Sequence, residues 1–94
     1  MTGCPPTRIE GVSREVWSCL WRRAREMSLP AQEASSGSLR HGEGAAEWSW
    51  DEAAGVLTVT VTRRPPDLDC AWVERRLRET ARGCGAGTAA QVPA

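Results

Sequence analysis

The chain has 94 residues and twelve basic side chains against twelve acidic ones, with no Lys, Asn, Phe or Tyr. That length gives one domain with no room for a second core, and zero formal charge leaves no long-range field to gather nucleic acid or an anionic membrane. No apolar run approaches the ~20 residues of a membrane span, and Met1-Thr2-Gly3-Cys4-Pro5-Pro6 has neither the basic start nor the apolar stretch of a secretion signal. A soluble, cytoplasmic protein with reduced thiols is therefore expected.

A tail is expected over residues 1–7. The first element in chain order is a helix of roughly Val12 to Ser28. Val12, Val16, Leu20, Ala24 and Met27 recur along one helical face, and Trp17 and Trp21 widen that stripe to one side. Its start has two candidates. Thr7 with Glu10 matches a capping box, and Ser13 is an equally good cap. Pro30 stops it. A polar connection follows over residues 31–44, with a weak strand signal around Ser38 to His41.

A β-hairpin is the clearest element, at about residues 45–62. Ala46, Trp48 and Trp50 alternate with Glu47, Ser49 and Asp51 in the first arm. In the second, Leu57, Val59 and Val61 alternate with Thr58, Thr60 and Thr62. Asp51-Glu52-Ala53-Ala54-Gly55 forms the turn, with Gly55 free to take positive φ. Pairing Trp50 with Leu57, Trp48 with Val59 and Ala46 with Val61 collects the apolar residues on one face, and a one-residue slip would scatter them. Arg63-Arg64-Pro65-Pro66 ends the second arm.

A second helix begins at Asp67 or Asp69 and stops at Gly83. Its apolar face is Cys70, Val73, Leu77, Thr80 and Ala81, and Trp72 falls nearly opposite. A single domain over residues 8–83 follows, with a second tail over 84–94. Its class is α+β: an N-terminal helix, a two- to three-stranded antiparallel sheet, and a C-terminal helix packed on one face.

His41-Gly42, Trp48-Ser49-Trp50-Asp51, Leu57-Thr58-Val59-Thr60-Val61-Thr62, then Arg64-Pro65 and an amphipathic helix span roughly residues 38 to 80. This succession resembles a pattern in short uncharacterised bacterial proteins with a Thr-rich hairpin, a basic residue before proline and a C-terminal amphipathic helix. The resemblance implies the architecture and carries no activity. The Ala-, Gly- and Arg-rich composition is read as that of a genome rich in G and C.

Chemistry finds little purchase. His41 stands alone beside Glu43, and a catalytic histidine needs an orienting partner and a nucleophile. Cys4, Cys19, Cys70 and Cys84 show no C-x-x-C and no close spacing, which argues against a zinc site. Cys19 and Cys70 are read as small buried hydrophobes, Cys4 and Cys84 as free thiols in the tails. Arg63-Arg64 lies before a helix start already occupied by Asp67 and Asp69, which compete with any bound anion. The arginines of Arg75-Arg76-Leu77-Arg78 interleave with Glu74 and Glu79 as a salt-bridged face. No catalytic, metal or cofactor site is expected.

Two functions remain. The first is binding through surface, as a homodimer or with a protein partner, with Trp72 and Arg76 as interface candidates, because a small core gains from added burial. The alternative is a small-molecule binder with an apolar cleft lined by Trp17, Trp21, Trp48 and Trp50.

Overall fold

Trp50 lies opposite Leu57, Trp48 opposite Val59 and Ala46 opposite Val61, the register the alternating pattern demands. A computed structural model describes residues 3–27 and 34–86. The elements run β1 (Thr7–Ile9), α1 (Arg14–Glu26), β2 (Ser36–His41), β3 (Gly44–Asp51), β4 (Val56–Arg63) and α2 (Cys70–Gly83). They form an α+β unit with four antiparallel strands in the order β1-β4-β3-β2, rather than the expected two or three.

The additional strand comes from the segment expected to be a tail. Thr7 pairs with Val59, Arg8 with Thr58 and Ile9 with Leu57, and Cys4 donates its backbone N–H to Val61 O at 2.8 Å. Thr7 and Ile9 are both buried. Three residues after Pro5-Pro6 are too few to display a period of two, yet β4 offers an open edge that rewards pairing. Thr7 therefore belongs to a strand and not to a helix cap. Ser13 holds the start of α1, its hydroxyl accepting from Val16 N at 3.3 Å.

The helical face is also turned from the expected one. Val16, Trp17 and Trp21 are buried, Leu20 and Ala24 are half-buried, and Met27 is 58% exposed. The two indoles, expected at the flank, take the centre because they carry the most apolar area. Trp17 stacks on Trp50 with centroids 4.8 Å apart, while Trp21 meets Trp48 edge-on at 5.3 Å and Trp17 at 5.6 Å. Val12 is wholly buried ahead of the helix, where it donates to Gly55 O at 2.8 Å and accepts from Trp50 Nε1 at 2.9 Å. Gly55 takes φ 67° in the hairpin turn, as its position there requires.

Helix α2 is capped by Asp69, which accepts from Trp72 N at 2.6 Å. Of its residues only Ala81 is fully buried, and it is fastened by covalent bonds instead. Cys4 is bonded to Cys70 and Cys19 to Cys84, so no cysteine is free. This corrects the expectation of free thiols and buried reduced cysteines, and it removes the ground for reduced thiols and a cytoplasmic setting. The partners lie 66 and 65 residues apart, so no local spacing marks them. The fold marks them: β1 brings Cys4 to the start of α2, and Cys19 on α1 faces its end.

The second expected tail is likewise part of the domain up to Ala86. Gly85 takes φ 106°, letting Ala86 N donate to Ala81 O at 2.8 Å, and Ala86 is 4% exposed. The expected stop at Pro30 and the tail residues 1–2 and 87–94 lie outside the described residues.

A chain this small buries roughly 60–65% of its unfolded surface, and closing a loop of this length by a cystine contributes about 4 kcal/mol in the chain-entropy account. The double variant Cys19→Ser/Cys84→Ser is expected to lose about 2–5 kcal/mol in denaturant unfolding. A loss within error would mean that side-chain packing and the remaining Cys4–Cys70 bond suffice to hold α2.

Candidate functional site

Indoles are long, and they keep α1 away from the sheet. The backbone of α2 comes close to α1 and β1, leaving space between its inner face and strands β3 and β4. That space is an apolar cleft of about 290 Å³, at the small end of ligand-pocket volumes. Its floor is Leu57, Val59 and Val61 of β4 with Ala46 and Trp48 of β3. Trp17, Leu20, Trp21 and Ala24 of α1 form one wall, and Leu77 and Ala81 of α2 the other. Ile9 of β1, Leu39 of β2 and Met27 also line it.

Each wall follows from local sequence. Alternation along β3 and β4 sends Trp48, Val59 and Val61 to the same side. The i, i+4 spacing of Trp17 with Trp21, and of Leu77 with Ala81, turns each pair inward. The Trp48 indole is fixed along β2 because its cross-strand partner is Gly37. A Cβ at Gly37 would stand 2.9 Å from the Trp48 ring. The ring is also tethered by its N–H, which donates to Ala34 O at 2.9 Å. Trp21 is 6% exposed, and its indole N–H is buried without a partner among the described residues.

Of the four tryptophans expected along a cleft, Trp17, Trp21 and Trp48 line it. Trp50 does not: it lies beneath Trp17 and is committed to Val12 O. The two interface candidates are separated in role. Trp72 is 42% exposed on α2 and takes no part in the cleft, whereas Arg76, one turn further on, lines it. Arg23 on α1 lines it too, a residue the sequence did not single out. Its position one turn after Leu20 and one turn before Met27, on the edge of the apolar stripe, was the available signal.

Polar chemistry is otherwise sparse. Thr80 lines the cleft, but its hydroxyl donates to Arg76 O at 2.9 Å within the helix. Arg14 Nε donates to Glu52 at 2.9 Å, tying the start of α1 to the hairpin turn. That hydrogen bond and the carboxylate's charge raise the arginine pKa, which leaves an already charged group charged. Arg64 donates to Leu68 O in the connection to α2. No group of three or more His, Cys, Asp or Glu able to hold a metal occurs among the described residues. His41 closes β2 at the turn into β3. No described helix is long and apolar enough to cross a membrane.

Comparisons with protein-family models, with curated proteins and with solved structures found no match to this chain.

Proposed function

We propose that the protein is a non-catalytic binder that takes a small apolar ligand into the cleft between sheet and helices, and that it works in an oxidising compartment. The single observation carrying the first part is an apolar cleft of about 290 Å³ walled by three indoles and aliphatic side chains. Ligand sites of this kind are largely preformed, apolar and supplied with few polar groups. An apolar cavity of roughly 150 Å³ accepts benzene, so this one has room for a larger molecule. The two cystines support the second part, because reducing compartments keep thiols apart. Free thiols at these positions, found by alkylating an unreduced extract, would count against it.

Self-association is a second proposal, favoured by one observation. Trp72 stays 42% exposed on α2, and large exposed rings commonly anchor partners. Burying it in an interface would return about 2–3 kcal/mol. Sedimentation at micromolar concentration is expected to show a dimer that Trp72→Ala weakens without loss of helix by circular dichroism. A monomer in the parent protein would dispose of the dimer.

For the cleft, decanol is expected to shift the tryptophan emission saturably, with one site per chain. Ala24→Phe places a ring from α1 into the cleft and is expected to abolish that response while the far-ultraviolet circular dichroism spectrum is kept. An undiminished response in the filled variant would place the ligand elsewhere.

A further inference from the structure

Taking the cleft as a ligand site, on the reading given above, we infer that its occupant is a single-chain aliphatic carboxylate. The chain lies among Trp17, Trp21 and Trp48, and the head sits between Arg23 and Arg76.

Charge decides the head. Arg23 comes from α1 and Arg76 from α2, and both residues line the same apolar space, with aliphatic stems that can lie along it while the charged ends stay in water. Neither makes a side-chain ion pair among the described residues, while Arg14 and Arg78 are paired with Glu52 and Glu74. Among the described residues, Glu47 is the one acidic residue along the cleft. It lies opposite Thr60 on β4, and alternation along β3 turns its side chain to the face away from Trp48. Among the described residues, the cleft thus has two arginines without an ion-pair partner on its lining and no facing carboxylate, on a molecule whose formal charge is zero. A carboxylate can accept from both guanidinium forks.

Size decides the tail. Scaling from benzene in roughly 150 Å³, a space of this volume holds about ten to twelve carbons. One turn of a helix with its side chains fills roughly 500 Å³, from a diameter of about 11 Å and a pitch of 5.4 Å. A helical partner could therefore not enter whole, whereas an extended alkyl chain can. Each methylene that enters tightens binding about fourfold. Both arginines are exposed, so the head remains near water and its share is small.

The test uses the oxidised, full-length chain and follows tryptophan emission with decanoate, decanol and decyltrimethylammonium, each below its aggregation concentration. Decanoate is expected to bind tightest and the ammonium weakest. Arg23→Gln and Arg76→Gln are each expected to weaken decanoate about 3-fold, and about 10-fold together, with decanol unchanged. These side chains are exposed and unpaired, so the fold should tolerate both changes. Decanol binding as tightly as decanoate, with no response to either variant, would overturn the carboxylate head and leave the cleft as a ligand site. Tighter binding of the ammonium would overturn the head equally. Binding of none of the three would overturn the ligand cleft itself.

Discussion

Two cystines fix where the second helix lies, and the shape of the molecule depends on that. Cys70 stands at the first turn of α2 and Cys84 just beyond its last, so the helix is tied down at both ends. Its inner face needs little packing to stay in place. Val73, Leu77 and Thr80 are only half-buried, and Ala81 alone is closed off. An ordinary amphipathic helix is held by its apolar face and must press that face into a core. Here covalent ends relax the demand, and the middle of α2 can bridge a space. Loop closure across about 65 residues is stabilising in the chain-entropy account, which suits a domain too small to rely on its core.

The first helix is held by different means. Trp17 and Trp21 meet Trp50 and Trp48 in one stack and one edge contact, and Trp50 is further locked to the chain just ahead of α1. Aromatic pairs in these geometries add stability beyond the area they bury. They are also tall, so they act as spacers between helix and sheet. The cleft results from both devices together: indoles lift α1, and the cystines suspend α2. Its interior is apolar because β3 and β4 give one whole face to Trp48, Val59, Val61 and Ala46. Its border is basic because Arg23 and Arg76 each sit one residue off an apolar stripe.

What was legible in the sequence was what is local. The hairpin could be read to the residue pair, since alternation and burial agree and only one register satisfies both. The inner face of α2 and the outward position of Trp72 followed from helical spacing, while the choice between Asp67 and Asp69 as its cap is made in favour of Asp69 only by the structure. Three features needed the tertiary structure. β1 is too short to show periodicity, and its pairing is dictated by the open edge of β4. The cystines join residues with no neighbouring cysteine, so spacing arguments of the kind that reveal zinc knuckles are blind to them. An even cysteine count, with one member at each end of the second helix, was the one hint. The absence of Trp50 from the cleft lining was illegible for a similar reason. Its N–H is claimed by Val12 O, 38 residues away. The order of the hairpin and the final helix was legible as well, and it says nothing of the cleft above them.

The central claim is that α2 is held by its cystines while the indole cluster holds the remainder. Amide hydrogen exchange, compared between the oxidised protein and the protein kept in thiol, tests it most directly. Amides of Cys70–Gly83 are expected to lose most of their protection on reduction, while those of Trp48–Trp50 and Leu57–Val61 keep theirs. Undiminished protection across α2 in the reduced protein would contradict it. So would equal loss throughout, which would mean that the sheet and its tryptophans cannot stand without the covalent ties.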